Sequence, residues 1–180
     1  MDADRPADAE VSAARWSRFR AAPPRWLTVL LAAVLAGLLA TGGVLGWQLR
    51  EAQAQQDRHT AILQAAAEHT GNFLTMDYRQ ARRDTAKVIA GATGEFRKQY
   101  SGSRSRLHKL VEQNKSVSTG KVLATGVVSA DADSARVIVV ADSDVTNIST
   151  KEPQPRHYRL QLDLAKQGGR WLLASLQFVG

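Results

Sequence analysis

Between Arg25 and Arg50 the chain carries no charged residue, and that gap constrains every architecture it can adopt. The run from Leu27 to Gly46 is apolar or small throughout. Coiled as an α-helix that rises about 1.5 Å per residue, a segment of about two dozen residues covers a hydrocarbon core roughly 30 Å thick. Trp26 and Trp47 stand at its two ends, where the headgroup layers favour amphipathic rings. The sequence thus predicts a membrane-spanning helix over residues 26–49. A cleaved leader is the alternative, since Ala52-Gln53-Ala54 offers a small-x-small site. The apolar stretch is longer than the roughly 7–15 residues of a leader's apolar region, which favours a retained anchor.

The flanking charges set a direction. Arg15, Arg18, Arg20 and Arg25 precede the helix with no acid among them, whereas residues 50–68 carry Arg50 and Arg58 against Glu51, Asp57 and Glu68. Cytoplasmic flanks hold the excess of Lys and Arg, so residues 1–25 are expected to be a cytoplasmic tail and the C-terminal domain to lie beyond the plasma membrane. That tail is rich in Ala, Asp, Arg and Pro with few large apolar groups, a composition expected to stay disordered. Within the helix, Gly42 and Gly46 form a GxxxG and Ala36 and Ala40 a weaker small-xxx-small pair. Such spacing lets two helices approach and makes a homo-oligomer conceivable, but it also arises by chance in a segment rich in Ala and Gly.

The remaining roughly 130 residues suit one ordinary domain. Without cysteine the chain has no disulfide framework, thiolate metal site or Cys nucleophile, so its stability must come from packing. Residues 50–76 carry Ile62, Leu63, Ala66, Ala67, Phe73 and Leu74 at helical spacing, and predict a helix that links the membrane to the domain and opens it. Residues 77–180 form the remainder. A second helix is expected at about 79–90, ended by Gly91-Ala92-Thr93-Gly94, and a third at about 95–113 with Thr93 as its N-cap.

After Asn114 the apolar period changes from that of a helix to that of a strand. Residues 117–129 and 136–148 read as a hairpin around Asp131-Ala132-Asp133-Ser134. A loop over 149–156 is expected from Pro153 and Pro155. Tyr158, Leu160, Leu162 and Leu164 then alternate with Arg159, Gln161 and Asp163, as on a strand with one buried face. Gly168-Gly169 supplies a two-residue hairpin turn, and 170–179 the last strand. The order is α+β: about three helices packed on one face of a curved four-stranded antiparallel sheet.

Catalytic and metal chemistry is hard to find. His59, His69, His108 and His157 lack partners at metal-ligand spacing. Asp131 and Asp133 sit in a turn that favours Asp, and Asp142 and Asp144 read as the exposed face of a strand. Gly91-Ala92-Thr93-Gly94 is too short for a phosphate loop and lacks the following Lys. No catalytic residue, cofactor or metal is expected.

Charge is more informative. Lys and Arg outnumber Asp and Glu 24 to 17, and between residues 79 and 121 eleven bases face only Asp84, Glu95 and Glu112. Arg79, Arg82, Arg83, Lys87, Arg97 and Lys98 form a candidate face for an acidic partner or anionic lipid, against the plainer reading of a solvated surface. Nucleic acid is disfavoured, because the expected topology places this face outside the cytoplasm.

The series Asp77-Tyr78-Arg79, then Ala90-Gly91-Ala92-Thr93-Gly94-Glu95-Phe96-Arg97 with Tyr100, then Gly169-Arg170-Trp171-Leu172-Leu173, resembles the Mce-associated membrane proteins of actinobacteria. Their layout is similar: a cytoplasmic tail, one membrane helix and a domain of the nuclear transport factor 2-like, or SnoaL-like, fold. The resemblance implies a cone of helices and sheet, with Phe73, Tyr78, Phe96, Tyr100 and Trp171 as candidate lining residues. It further implies an accessory or scaffold subunit of an Mce-type lipid or sterol import system in the cell envelope, not an enzyme, acting by protein–protein binding. Its partners would be the bilayer, Mce-complex or other envelope proteins, and lipid or sterol. The alternatives are a module that binds a lipid-like molecule in the cone, and a scaffold like those of type IV secretion, which share the layout. A filled cone favours a scaffold, and an open apolar chamber favours a ligand-binding module.

Overall fold

A computed structural model describes residues 25–150 and 152–179, with side chains in the first helix described at 26, 29–31, 33–35, 47 and from 50 onward. The tail before Arg25 lies outside the described residues, as do the side chains of Ala36, Ala40, Gly42 and Gly46. The described elements are α1 (Arg25–Leu74), β1 (Met76–Asp77), α2 (Ala81–Ala90), α3 (Gly94–Asn114), β2 (Val117–Ala130), β3 (Ser134–Thr146), β4 (Gln154–Gln167) and β5 (Arg170–Phe178).

Two compact units divide between Gln48 and Leu49, inside α1. In the first, the backbone is helical from Arg25 and the side chains of Trp26, Val29, Leu30, Leu31, Val34, Leu35 and Trp47 are exposed. Among the described residues no helix is long and apolar enough to cross a membrane. Much of the span expected over 26–49 falls on side chains outside that description.

The second unit is an α+β domain whose sheet is antiparallel throughout, in the order β1-β2-β3-β4-β5. Alternation along the strands sorts its two faces. On β3 Ala135, Val137, Val139 and Ala141 are buried, and on β4 Leu160, Leu162 and Leu164. The register sets Val137 opposite Leu162 and Val139 opposite Leu160, so the branched side chains form one apolar surface. Ile62, Ala66 and Leu74 of α1 cover it, and Trp171 and Leu173 of β5 complete the cluster. Each fully buried aliphatic side chain contributes about 1.5–3 kcal/mol, which makes this contact the main source of the fold's stability.

Two junctions hold the helices to the sheet. At the end of α1, the Ser118 hydroxyl donates to the Leu74 carbonyl at 2.6 Å and the Gly120 N–H donates to Thr75 Oγ1 at 3.2 Å. The first bond satisfies a carbonyl that the helix end leaves unpaired, and the second ties the next residue's side chain to β2. The backbones approach so closely that a Cβ on Gly120 would stand 2.5 Å from Leu74 Cβ. At the second junction the segment between α2 and α3 lies against β5. Leu173 N–H donates to the Gly91 carbonyl, and Thr93 N–H to the Leu173 carbonyl, both at 2.8 Å. His69 is buried beside them with Nε2 2.9 Å from the Trp171 carbonyl, and its ring occupies the space that a Cβ on Gly91 would need.

Several sequence expectations change. The sheet has five strands, not four: Met76 pairs with Ser118 and Asp77 with Val117. A two-residue strand is too short to show a period. The loop expected over 149–156 yields to β4 from Gln154, with Pro155 opposite Asp144. The β5 pairing begins only at Leu160, so this end of β4 is an edge on that side, where proline is tolerated. Thr93 occupies the N-cap position of α3, but its hydroxyl donates to Gln167 Oε1 at 2.9 Å instead of capping the helix. The Gly168-Gly169 turn is as expected, with φ of 55° and 79°. β2 bulges twice, between Val122 and Ala124 and between Val127 and Ser129.

Two glycines separate close approach from mere tolerance. Gly120→Ala is expected to lower stability by about 1–3 kcal/mol, because Leu74 is held by backbone bonds and cannot yield. Gly102, inside α3 with nothing within 4 Å of an added Cβ, should gain about 0.5–1 kcal/mol on replacement by Ala. Thermal unfolding followed by circular dichroism checks both signs.

Candidate partner-binding surface

The space between helices and sheet is filled. Phe73, Phe96 and Tyr100 come together there, with ring centroids 6.4 Å apart for Phe73–Phe96, 6.2 Å for Phe73–Tyr100 and 5.8 Å for the stacked Phe96–Tyr100 pair. Phe178 joins Phe73 at 6.4 Å and Tyr158 at 5.8 Å, bringing in Tyr158 from the expected buried face of its strand and Phe178, which the sequence reading missed. Alternation marks Tyr158 but not Phe178, because the register shift at Asp163 and Leu164 puts Phe178 out of step with Trp171 and Leu173. Phe178 is 60% exposed and forms the outer rim of the cluster. Burial pushes the Tyr100 hydroxyl up to about 12, with the Asp84 carboxylate adding to the effect.

Of the other two expected lining residues, one belongs to the core cluster on which these rings pack and one sits at a turn. Trp171 is a core residue, 7% exposed, with Lys166 Nζ 5.7 Å from its ring centroid. Tyr78 sits at the entry to α2, its ring under the Arg79 guanidinium at 5.7 Å. The Asp77-Tyr78-Arg79 triplet is a local clamp. Asp77 accepts both the Arg79 backbone N–H at 2.9 Å and its guanidinium at 2.6 Å, bonds that hold the Asp77 carboxyl below the usual carboxylate range.

The basic face divides into engaged and open members. Arg79 is tied to Asp77, Lys87 reaches Asp84 at 3.3 Å and Lys98 reaches Glu95 at 3.9 Å. Arg82, Arg83 and Arg97 are exposed and make no ion pair among the described residues. Two further bases, absent from the sequence-derived set, belong with Arg82: Arg104 and His108 line one groove with it. Their four-residue separation on α3 puts both on the same helical face, which was the available signal.

The sheet face turned away from α1 is chemically mixed. Arg136 pairs with Asp163 and His157 Nδ1 with Asp142 Oδ1, each at 2.7 Å. Beside the second pair a depression of about 550 Å³ is lined by Leu123, Val140, Arg159 and Val179. Leu123 is 51% exposed and Val140 36%. Among the described residues no group of three or more His, Cys, Asp or Glu is placed to hold a metal ion. The domain thus presents charged and apolar surface around a closed core.

Residues 26–180 match the model of the family described as uncharacterized protein Rv1363c/MT1408-like. The chain belongs to that family. Rv1363c of Mycobacterium tuberculosis (strain H37Rv) is 35% identical over 178 residues, covering 96% of this chain and 68% of the relative. Rv1362c of the same strain is 27% identical over 145 residues, covering 77% and 66%. The Rv1363c-like chain therefore spans about two thirds of the length of these relatives.

Among solved structures, the periplasmic domain of DotI is similar at a TM-score of 0.56 and 14% identity, over 67% of this chain and 94% of that one. An IcmL-like type IV secretion system protein from Legionella pneumophila gives 0.55 and 16%, over 66% and 89%. Agrobacterium tumefaciens VirB8 gives 0.52 and 10%, over 67% and 90%. At such identities the likeness is one of fold. The Rv1363c-like domain has the nuclear transport factor 2-like fold of these proteins.

The aromatic cluster has a measurable titration. An ordinary tyrosine ionises near pH 10, so a folded Tyr100 that holds its proton to about pH 12 binds more protons than the unfolded chain between those values. Stability should be fully present below pH 10 and fall as pH rises toward 12. Absorbance titration of phenolate should show one late ionisation that Tyr100→Phe removes.

Proposed function

We propose that this Rv1363c-like protein is a membrane-anchored scaffold subunit of a cell-envelope assembly, working by protein–protein binding and not by catalysis. The observation that carries the reading is the filled interior of the cone, which leaves the outer surfaces to do the binding. A lipid-like ligand inside the cone would have to displace Phe73, Phe96 and Tyr100 from one another. The uncharged run between Arg25 and Arg50, with arginines before it, supports a single plasma-membrane crossing, a cytoplasmic N-terminus and an extracytoplasmic domain. An anchor of that kind raises the domain's effective concentration for other membrane components.

The fold shared with DotI, an IcmL-like type IV secretion system protein and VirB8 favours an architecture like that of type IV secretion scaffolds. A role in Mce-type lipid or sterol import rests on the sequence resemblance alone. In this reading Arg83 and Arg97 face the protein partner. Arg79 serves the Asp77 clamp instead, so its reversal would disturb the turn.

Crosslinking in intact envelope, followed by identification of the attached proteins, tests the proposal. Specific envelope proteins should be recovered with the wild-type chain, and Arg83→Glu with Arg97→Glu should weaken their recovery severalfold while the thermal midpoint is kept. A C-terminal domain that resists protease added outside spheroplasts would defeat the topology. Recovery of Mce components would favour lipid import, and of secretion-type components the other assembly.

A further inference from the structure

Arg82, in the first turn of α2, and Arg104, Ser105 and His108, on consecutive turns of α3, line a groove of about 360 Å³. Every lining residue is polar, and none is acidic. Neither Arg82 nor Arg104 has an ion-pair partner among the described residues. Of the acids nearby, Asp84 accepts the Asp77 N–H at 3.1 Å and faces Lys87, and Glu112 lines a neighbouring groove with Arg79, Arg82 and Arg83 without forming an ion pair with any of them. Two guanidinium groups and an imidazole are thus gathered in a groove with no acid in its lining, which creates a positive potential there.

His108 is positioned by its other edge. Thr85 Oγ1 lies 2.7 Å from the Ala81 carbonyl and 2.8 Å from His108 Nε2. A hydroxyl has one proton, and the helix carbonyl can only accept, so the Thr85 proton goes to Ala81 and His108 Nε2–H donates to Thr85. This bond fixes the ring between the two helices and keeps the imidazole at the groove wall.

We propose that the α2–α3 groove binds a phosphate group, held between the guanidinium forks of Arg82 and Arg104 with Ser105 and His108 beside it. A carboxylate has two oxygens, which a single guanidinium satisfies through paired bonds. Two such forks, a hydroxyl and an imidazole match the tetrahedral oxygens of a phosphate, and the monoester and the free ion also exceed a carboxylate in charge. The polar lining offers no seat for an acyl chain, so recognition is of the phosphate itself, free or as a lipid headgroup. The site stands apart from the scaffold reading, whose test uses Arg83 and Arg97.

The full-length protein in zwitterionic detergent is titrated calorimetrically with inorganic phosphate, glycerol 3-phosphate and glycerophosphoglycerol. Saturable binding of at least one is expected, weakened about tenfold or more in Arg82→Gln/Arg104→Gln, less in Arg104→Gln alone, and unchanged in Arg170→Gln. All three variants change exposed side chains, and an unaltered thermal midpoint shows that the fold persists. Preference for the monoester or the free ion identifies a soluble ligand, and preference for the diester identifies a headgroup. No saturable binding up to about 10 mM, binding indifferent to the double variant, or a Glu-rich peptide bound in preference to all three would overturn the proposal.

Discussion

The contact between the C-terminal half of α1 and the inner face of β3 and β4 governs the rest of the domain. Ile62 and Ala66 are wholly buried against Val137, Val139, Leu160 and Leu162, and the small Ala66 lets the helix lie close to the strands. Once α1 is seated, its last turn delivers Leu74 to Gly120 and Phe73 to Phe96 and Tyr100. Its His69 meets the start of β5 and the α2–α3 connection. The helix therefore spends its apolar stripe on the sheet, and the outward sides of α2 and α3 remain free for charge. A closed interior and a charged exterior are two results of the same packing.

That division gives the functional argument its direction. Proteins of this fold differ in what they do, because function resides in the sites that a fold carries. Here the interior is occupied by side chains, and the unpaired chemistry lies outside it: open arginines on the helices, and Leu123 and Val140 beside the Arg136–Asp163 ion pair and the His157–Asp142 hydrogen bond on the far face of the sheet. Surfaces of mixed charge and apolar character suit recognition of another macromolecule, with charge setting specificity and encounter rate more than affinity.

Much of the domain could be read in advance because its physics is local. The alternation Tyr158, Leu160, Leu162, Leu164 marks a one-sided strand whatever surrounds it, and two adjacent glycines mark a tight turn. Elements decided by distant partners could not be read. β1 exists because Ser118 and Val117 pair with it, and Pro155 enters a strand because its outer flank is unpaired. The surface was legible as a charge surplus but not as a site. Asp77 and Asp84 remove Arg79 and Lys87 from the set, and only the packing of α2 on α3 brings Arg82 next to Arg104 and His108. Tyr78 was expected to line the cone, yet the fold places it in a turn clamp, whereas Trp171, expected to fill the open end of the cone, sits in the core cluster.

The bulges in β2 have a bearing beyond the single molecule. β1 covers only Val117 and Ser118, so most of β2 runs along the sheet with no strand on its outer side. Such a border is a template on which copies could stack into fibrils. Two interruptions of register, with Lys121 before the first, break the even spacing that a stacking copy would need to match. The uneven border thereby hinders one copy from adding edge to edge onto the next.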